Sequence, residues 1–319
     1  MRRILVREHN KPPNQKKVEK KNMPSSSANS RRFTPWLKVS YATTQGDERK
    51  DMEDRVSVGS FIHQKTKFYV MAVMDGHGGS EYAEYVQKEL NRELKAQLRQ
   101  HGRRHMRVCL EQTFETLDRK GQALNLLSGT TASVLVVVAS PTALGPEEVW
   151  IANVGDSSVY GSRQDSKGGP RRRAAELLSR NHTAKLALER KRLSDPNPSN
   201  VKYFVTKERY IGRVSKSCGM LLSVTRALGD HFLGPGVTAS PTTKRLRKRH
   251  DAIVLASDGV WDVMSGEEVC QELAACQHSP AWRHAARDLL EYRNTHYEQH
   301  DNSSLIVAYF DESAMRAKK

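Results

Sequence analysis

The chain has 319 residues, 37% of them hydrophobic, and its 52 Lys and Arg against 36 Asp and Glu give a formal net charge of +16. No run of eighteen apolar residues occurs and the first residues lack an apolar signal stretch, so we expect neither a membrane span nor export. The four cysteines have no Cys-x-x-Cys spacing and no His partners at zinc spacing, which argues against a zinc module and for reduced intracellular thiols.

The first segment in chain order, residues 1–37, is predicted to be a basic disordered tail. Residues 1–40 hold eleven Lys or Arg against two Glu and show little apolar periodicity. The lysines within residues 16–21 favour the nucleus, although a cytoplasmic pool fits equally well. A second short basic tail is expected at residues 313–319.

Residues 38–312 are predicted to form one domain in which strands alternate with pairs of helices. Apolar or alternating runs indicate strands, and apolar residues at helical spacing indicate helices. The predicted strands are residues 37–42, 55–62, 68–74, 131–138, 149–153, 158–162, 253–257 and 304–310. The predicted helices are residues 80–98, 106–124, a very basic one at 180–193, and two that begin at Ser265 and Ser279.

The order of these elements predicts an α+β fold. Strands outnumber helical crossovers, which favours two packed, mainly antiparallel sheets with helices outside, a four-layer α-β-β-α sandwich. Gly155 and Asp156 separate two short strands, so residues 149–162 are predicted to form a hairpin with a tight turn. Residues 199–220 are too irregular for a core element and too aromatic for a linker, which predicts an ordered flap at about residues 195–222.

Acidic residues lie at the ends of four predicted strands. They are Glu53 and Asp54 before one strand, Asp75 after the next, Asp258 after a third and Asp301 before the last. Carboxylates are costly to bury without a compensating charge, so such a cluster at sheet edges is best explained by divalent cations. Gly76 has no side chain, which lets its carbonyl approach a cation. The alternative for Asp75 and Gly76 is an ordinary turn from strand to helix.

Seven motifs follow one another along the chain. They are Arg49-x-x-x-Glu53-Asp54, Asp75-Gly76-His77-Gly78-Gly79, Ser128-Gly129-Thr130-Thr131-Ala132, Asn153-Val154-Gly155-Asp156-Ser157, Thr225-Arg226-Ala227-Leu228-Gly229-Asp230, Ser257-Asp258-Gly259-Val260-Trp261-Asp262 and Asp301-Asn302. In this order they resemble the motifs of metal-dependent Ser/Thr protein phosphatases of the 2C type. The resemblance covers roughly residues 38–312 and implies the same four-layer sandwich.

The resemblance also implies two Mn²⁺ or Mg²⁺ ions and their ligands. Asp75 would bridge both ions, Glu53 and the Gly76 carbonyl would complete one, and Asp258 and Asp301 would complete the other. Ligand sets made only of oxygen select hard cations, and a pair of such ions activates a shared water for attack on phosphorus. A purely structural metal site is the alternative.

Arg49 and His77 are the predicted catalytic side chains. By the resemblance, Arg49 grips phosphate oxygens with its planar fork, and His77 is the general acid that protonates the leaving Ser or Thr oxygen. Arg49 could instead be a surface residue, and His77 could pack against the glycines or hold a ligand carboxylate.

Two further acids, Asp156 and Asp262, match positions associated with a third, weaker metal in this family. Asp156 also suits a turn, and Asp262 could begin a helix, so both alternatives stay open. Asp230 is expected to brace the base of the flap, with Arg226 as its ion-pair partner.

Three short segments depart from the family pattern. Asn181-His182-Thr183-Ala184 stands where most relatives have Asp-His-Lys-Pro, Ser158 where they have Arg after Gly-Asp-Ser, and Ser240-Pro241 where Glu-Pro is usual. None of these positions is a proposed metal ligand. They bear on the flap and therefore on the choice of substrate.

The sequence predicts hydrolysis of phosphoserine and phosphothreonine in proteins by water activated between two divalent cations. The positive flap residues would favour acidic substrates; they are Lys207, Arg209, Arg213 and Lys216. The alternative is a catalytically weak scaffold whose basic residues, including 244–249, hold acidic partners or nucleic acid. We expect a monomer that acts on phosphoproteins in the nucleus or cytoplasm, with no membrane partner and no nucleic acid.

Overall fold

The computed structural model of the protein describes residues 27–164, 173–194, 201–205, 211–215, 221–233, 236–298 and 300–311. In chain order the first strands are β1 (Ser27–Thr34), β2 (Leu37–Thr44), β3 (Arg55–His63), β4 (Thr66–Met74), β5 (Gly76–His77), β6 (Gly129–Thr130), β7 (Ala132–Ala139), β8 (Glu148–Val154) and β9 (Ser158–Gln164). They are followed by β10 (Arg173–Leu177), β11 (Val201–Val205), β12 (Ile211–Ser215), β13 (Leu221–Leu222), β14 (Leu228–Gly229), β15 (Thr242–Arg245), β16 (Ala252–Ala256) and β17 (Ser303–Phe310). The α-helices are α1 (Glu81–His101), α2 (Met106–Ala123), α3 (Ala187–Ser194), α4 (Asp258–Trp261), α5 (Gly266–Cys276) and α6 (Ala285–His296).

Two sheets form the body of the fold. One has six strands in the order β1-β2-β17-β16-β9-β10, and the other has five in the order β15-β8-β7-β4-β3. Every neighbouring pair in both sheets is antiparallel. The α+β class with antiparallel sheets is therefore confirmed.

Strand β4 shows why its sequence is apolar throughout. Successive residues of a strand point to opposite faces of the sheet. On one face Phe68, Val70, Ala72 and Met74 join the apolar core shared with α1 and α2. On the other face Tyr69, Met71 and Val73 join the core between the two sheets. Because both faces are covered, the run is continuous rather than alternating.

A third apolar core covers the outer face of the six-stranded sheet. Val254 of β16 and Val307 of β17 pack there with Val269 of α5 and Leu289 of α6. The layers are therefore helices, sheet, sheet and helices. The predicted four-layer sandwich is confirmed.

The start of α5 is set by a local signal. The Ser265 Oγ accepts a hydrogen bond from the Glu268 N–H at 3.2 Å, and the Ser265 N–H donates to the Glu268 carboxylate at 3.4 Å, which completes the predicted capping box. Ser279 caps a short 3-10 helix, Pro280–Arg283, by accepting from the Ala281 N–H. Helix α6 begins only after that turn.

The hairpin predicted for residues 149–162 is wrong. Strand β8 belongs to the five-stranded sheet and β9 to the six-stranded sheet, so the chain crosses between sheets at Gly155 and Asp156. Gly155 has φ +85°, and a Cβ there would lie 2.5 Å from the Thr131 side chain. A Gly-Asp pair suits a tight turn and a crossing alike, so the local sequence cannot distinguish them.

The folded part begins earlier than predicted. Strand β1 pairs with β2 from Ser27 opposite Thr43 to Thr34 opposite Leu37, so the boundary predicted at residue 37 is wrong. Most of β1 is exposed and polar because it is an edge strand, and its composition therefore resembles that of a tail. Residues 1–26 and 312–319 lie outside the described residues.

The basic helix predicted at residues 180–193 is wrong in its first half. Helix α3 covers only Ala187–Ser194, and Thr183 forms an isolated bridge with Val224. The His182 N–H donates to the Gly155 carbonyl, and the His182 carbonyl accepts from the Thr225 N–H, both at 2.8 Å. Sheet-like tertiary contacts therefore outweigh the helical pattern here.

Part of the predicted flap is described by the structure. Strands β11, β12 and β13 form a separate antiparallel sheet. Arg213 lies in β12, whereas Lys207, Arg209 and Lys216 lie outside the described residues.

Candidate metal centre and active site

The predicted metal ligands lie at one end of the two sheets. Glu53 and Asp54 directly precede β3 and Asp75 directly follows β4, and these two strands are antiparallel neighbours. Asp258 begins α4 just after β16, and Asp301 lies just before β17, which pairs with β16. Each sheet therefore contributes one group of acids to a common site.

The carboxylates of this site act on one another. Burial raises the pKa of Asp75 well above its usual value, and the charges of Asp258, Asp54, Asp156 and Asp301 raise it further. Burial, followed by the charges of Asp156 and Asp301, raises the pKa of Asp258 in the same way. Burial also raises the pKa of Asp54 to about 6. Acids that raise one another's pKa values lack sufficient positive charge nearby.

Arg49 provides one positive charge at this site. Its guanidinium donates to Asp301 at 2.6 Å, and this hydrogen bond is the largest of the influences that raise the pKa of Arg49. The Arg49 side chain is 46% exposed, so it lies at the mouth of the site. Arg49 therefore contacts one of the proposed ligands, and its grip on phosphate remains a prediction.

The backbone around Asp75 is held by the neighbouring strand. The Thr131 N–H donates to the Asp75 carbonyl at 2.9 Å, and the Thr130 hydroxyl donates to the same oxygen at 3.1 Å. A Cβ at Gly76 would lie 2.5 Å from the Glu53 carbonyl oxygen, so the two acidic segments can approach this closely only with glycine at this position. The Glu53 carboxylate accepts from the Gly79 N–H at 2.5 Å.

The side chains fit a hard cation by their chemistry. Among the described residues, no three or more His, Cys, Asp or Glu side chains are arranged so that they could hold an ion together. The charges of Asp258 and Asp54 instead act on Asp75 and raise its pKa. A divalent cation among these carboxylates would supply the positive charge that they lack. The all-oxygen set matches Mg²⁺ or Mn²⁺ rather than softer metals.

His77 lies beside this cluster and contacts Asp230. Strands β5, β6 and β14 form a small sheet that brings the His77 Nε2 to 2.7 Å from the Asp230 Oδ2. Burial lowers the pKa of His77, but the hydrogen bond and charge of Asp230 outweigh burial, so the net shift is upward. This shift is in the direction that a general acid requires.

The expected ion pair between Arg226 and Asp230 is wrong. Arg226 donates instead to Glu189 of α3, with a shortest distance of 2.5 Å. Sequence reasoning thus missed Asp230 as the partner of His77. The available signal was its place at the end of the Thr225–Asp230 motif, since Asp230 follows Asp75 by more than 150 residues.

Asp54 is a second acid that sequence reasoning left without a role. Its side chain is buried, and its Oδ2 accepts from the Ser257 hydroxyl at 2.8 Å. The Ser257 oxygen in turn accepts from the Ser304 N–H at 2.9 Å. Asp54 therefore joins the end of β3 to the ends of β16 and β17. Its position next to Glu53 was the available signal.

The candidates for a third ion differ in their surroundings. Burial, together with the charge of Asp262, raises the pKa of Asp156 to about 6, so the two acids are near each other. Asp262 is exposed and lies at the end of α4, which means that it does not begin a helix. Their electrostatic proximity is compatible with a third ion.

Two of the departures from the family pattern contact each other. The Ser158 hydroxyl donates to the Asn181 side-chain oxygen at 2.7 Å. The two positions that depart from the family pattern therefore form a neutral, hydrogen-bonded pair in this chain. This contact adds no charge to the metal centre.

The chain is similar to known phosphatases in sequence. A model of the family described as protein phosphatase 2C matches residues 38–303. Probable protein phosphatase 2C 55 of Oryza sativa subsp. japonica is 30% identical over 86% of this chain and 66% of its own length. Protein phosphatase 2C 3 of Arabidopsis thaliana is 26% identical over 74% of this chain and 53% of its own length. The chain therefore spans about half to two thirds of the length of these curated relatives.

Solved structures share the fold. A serine-threonine phosphatase 2C from Toxoplasma gondii has a TM-score of 0.72 at 19% identity, covering 90% of this chain and 100% of that chain. A C. elegans sex determining protein has a TM-score of 0.67 at 20% identity, covering 94% of this chain and 69% of that chain. Together with the family model that matches residues 38–303, the sandwich and its acidic strand ends lead to one conclusion: the chain belongs to the protein phosphatase 2C family.

Proposed function

We propose that this chain hydrolyses phosphoserine and phosphothreonine in proteins, with two Mn²⁺ or Mg²⁺ ions as cofactors. The observation that carries the proposal is the cluster of carboxylates with raised pKa values at the family's motif positions. Such a cluster needs cations, and the bordering Arg49 suits an anionic substrate. When bound, a pair of divalent ions lowers the pKa of a shared water and neutralises charge on the phosphate.

The residues that would hold the ions come from both sheets. Glu53, Asp75 and the Gly76 carbonyl would hold one ion. Asp75 would also contact the second, together with Asp258 and Asp301. Asp156 and Asp262 are the candidates for a third ion.

Arg49 would bind the substrate phosphate. Its guanidinium is planar and presents parallel N–H donors, which match two phosphate oxygens. The half-exposed guanidinium contacts Asp301, so it can keep this contact while its other N–H groups donate to an incoming phosphate. This contact would act mainly on substrate binding.

His77 would protonate the leaving oxygen. Asp230 occupies the Nε2, which leaves the Nδ1 as the nitrogen available to donate. As the ester O–P bond breaks, the Ser or Thr oxygen takes the imidazolium proton, and the attacking water releases one proton to solvent as it forms the new P–O bond. Solvent then returns a proton to the His77 imidazole, so protons balance over the cycle. The products are the free hydroxyl side chain and inorganic phosphate.

The flap is proposed to select substrates. Arg213 lies in β12, and the family places a variable lobe of this kind beside the metal site. Lys207, Arg209 and Lys216 lie outside the described residues and would add positive charge. Replacing these four residues with Ser should reduce the preference for acidic-flanked over neutral-flanked phosphopeptides, measured as the ratio of kcat/KM values. An unchanged ratio would contradict the proposal.

Oligomeric state and location are also proposals. We propose a monomer in the nucleus or cytoplasm. In the described ranges, no helix is both long enough and apolar enough to cross a bilayer. A rice relative, Probable protein phosphatase 2C member 13, is labelled mitochondrial, which makes location worth measuring. Imaging a fluorescent fusion with and without residues 1–26 tests the role of the basic segment.

The decisive experiment is phosphate release from phosphothreonine and phosphoserine peptides with and without Mn²⁺. We expect turnover that requires the ion and that is abolished by chelation. A scaffold without catalysis would bind acidic peptides but release no phosphate at any Mn²⁺ or Mg²⁺ concentration. That second result would overturn the proposal. The scaffold is disfavoured because every proposed metal carboxylate is present.

A further inference from the structure

A continuous set of contacts leads from helix α2 to His77. The Asp118 Oδ1 accepts a hydrogen bond from the Gly229 N–H at 2.8 Å. The next residue, Asp230, has a side chain that is only 1% exposed, and its Oδ2 lies 2.7 Å from the His77 Nε2. One carboxylate on a helix is therefore connected to the imidazole through the Gly229 backbone and the Asp230 side chain.

The backbone that links Asp118 to Asp230 has an uncommon conformation at two consecutive residues. Gly229 and Asp230 have φ of +91° and +58°, both in the left-handed region. A Cβ at Gly229 would lie 2.5 Å from the Ser128 carbonyl oxygen and 2.8 Å from the Tyr82 ring, so this position requires glycine. Asp230 has no such freedom, and a left-handed conformation of a non-glycine residue persists only where its surroundings hold it. Asp118 holds the N–H of Gly229, the residue directly before Asp230.

The hydrogen bond between His77 and Asp230 passes over a bare glycine. In the small sheet, His77 of β5 and Gly229 of β14 both lie opposite Gly129 of β6. A Cβ on Gly129 would come within 2.4 Å of both the His77 Nε2 and the Asp230 Oδ2. The imidazole is therefore packed against backbone on one side, and Asp230 determines where its Nε2 lies.

Asp118 is itself held in place. The Tyr82 hydroxyl donates to the Asp118 carbonyl at 3.0 Å and lies 3.4 Å from its Oδ1. The His231 Nε2 also lies 3.4 Å from that Oδ1. Tyr82 is buried in α1, so both helices outside the five-stranded sheet contribute to the anchor.

We propose that Asp118 is a positioning residue for His77, acting through the Gly229 amide and the Asp230 carboxylate. The proposal rests on the general-acid role of His77 given above. It extends the active site to a helix residue that belongs to none of the seven motifs. Asp118 does not touch the substrate; it determines the orientation of a side chain that does.

The expected consequence is selective. A general acid works only when its proton donor lies within hydrogen-bond reach of the leaving oxygen. Alkyl oxygens, as in phosphothreonine, need that proton, whereas p-nitrophenolate is a good leaving group and needs it little. If His77 is no longer held in position, kcat for a phosphothreonine peptide should therefore fall and kcat for p-nitrophenyl phosphate should change little. KM should change little for either substrate.

The test begins with Asp118→Ala, which removes the acceptor for the Gly229 N–H. We expect kcat for a phosphothreonine peptide to fall about tenfold, and kcat for p-nitrophenyl phosphate to fall less than about twofold. Asp118→Asn should restore most of the loss, because its amide oxygen still accepts from Gly229. Glu115→Gln, on the exposed side of the same helix, is the matched control and should change neither rate. Equal loss on both substrates in Asp118→Ala would overturn the proposal.

A double variant tests whether the effect passes through His77. In a His77→Gln background, Asp118→Ala should cause no further change in the ratio of the two rates, because the group that Asp118 positions is gone. A further fall in that ratio would overturn the proposal. If His77→Gln alone left the ratio at its wild-type value, the general-acid role would fail, and this inference would fail with it. A selective His77→Gln with an unselective Asp118→Ala would reject only the role of Asp118.

A measurement without turnover gives a second readout. In ¹⁵N-labelled metal-free protein, the Nε2–H proton of His77 can be identified by its absence in His77→Gln. Its exchange with water should be slow in the wild type and in Asp118→Asn, and fast in Asp118→Ala. Slow exchange that persisted in Asp118→Ala would contradict the proposed restraint.

Discussion

Two regions of the molecule bury carboxylates, and the pKa of the buried acid is lowered in one region and raised in the other. Glu189 of α3 has a side chain that is only 2% exposed, and it accepts hydrogen bonds from Arg226, Arg192 and Thr225. Burial raises the pKa of Glu189, but the two arginines and Thr225 outweigh burial and bring it to about 2. At the metal centre, burial and mutual repulsion raise the pKa of Asp75 well above its usual value.

The difference distinguishes a structural acid from a functional one. A buried carboxylate that is matched by arginines and hydrogen bonds holds parts of the fold together, here α3 and the segment that begins at Thr225. A cluster of carboxylates that raise one another's pKa values, with the half-exposed Arg49 at its edge, destabilises the metal-free fold unless a ligand supplies positive charge. The following substitutions test the contrast, beginning with the largest expected effect.

Asp75→Asn should abolish hydrolysis while it stabilises the metal-free protein. Loss of a proposed bridging ligand should lower kcat/KM at least about 1000-fold, as expected when metal chemistry is removed. Removing one of several mutually repelling charges should raise the metal-free unfolding free energy by roughly 1 kcal/mol. Peptide turnover and thermal unfolding, each with and without Mn²⁺, measure both effects.

The control for Asp75→Asn is Asp288→Asn, which changes a half-exposed acid of α6 that is paired with Arg287 and is not one of the proposed metal ligands. It should leave turnover and the Mn²⁺-dependent rise in Tm unchanged. Wild-type turnover by Asp75→Asn, or an Mn²⁺-dependent rise in its Tm equal to that of the wild type, would refute the ligand assignment.

Glu189→Ala should destabilise the fold by about 3 to 5 kcal/mol, because it leaves Arg226 partly buried without its partner. Urea unfolding at pH 7.5 measures this loss. Glu111→Ala, which breaks an exposed pair with Arg107 on α2, should leave the unfolding free energy almost unchanged. A loss below about 1 kcal/mol for Glu189→Ala would show that the arginines do not depend on this acid.

His182 reports the surplus of positive charge around Glu189. Burial lowers the pKa of His182 to about 3, with Arg226, Arg180 and Arg192 adding to the effect. The unfolded chain therefore binds a proton below about pH 6.5 that the folded protein does not bind until about pH 3. Folding stability should thus fall as pH falls, and between pH 7.5 and 5.0 this residue contributes a loss of about 2 kcal/mol.

Comparison with His182→Gln isolates that contribution. The glutamine can still hydrogen-bond to the Thr242 hydroxyl, which the His182 Nε2 contacts at 2.7 Å. Unfolding free energies of both proteins at the two pH values give the difference in acid sensitivity. If the variant lost as much stability as the wild type on acidification, His182 would not be the group that titrates.

Arg49→Ala should have the smallest of these effects. We expect KM for a phosphopeptide to rise about tenfold, equivalent to about 1.4 kcal/mol, with a smaller fall in kcat, because the residue is proposed to bind phosphate in the ground state. Lys50→Ala, at the exposed neighbouring position, is the control and should behave as the wild type. A change in kcat alone would instead place Arg49 in the transition state only.

Local sequence was a good guide where a short stretch carries its own physical signal. The capping box at Ser265 forms within four residues, and the double-faced burial of β4 follows from seven consecutive apolar residues. Local sequence was a poor guide where the same short stretch suits two different structures. The Gly155-Asp156 pair suits a hairpin and a sheet crossing equally, and only the packing of the two sheets selects the crossing.

By itself, the sequence determined the α+β sandwich, the strand ends that carry Glu53, Asp75, Asp258 and Asp301, and the family to which the chain belongs. These follow from apolar periodicity and from ordered motifs, which are local properties. Only the tertiary structure decided that Glu189 forms an ion pair with Arg226, and that the Asp230 carboxylate contacts His77. Which partner a charge finds depends on how strands distant in sequence come together, because Coulomb energy depends on separation in space and on burial, and neither is a property of a short segment.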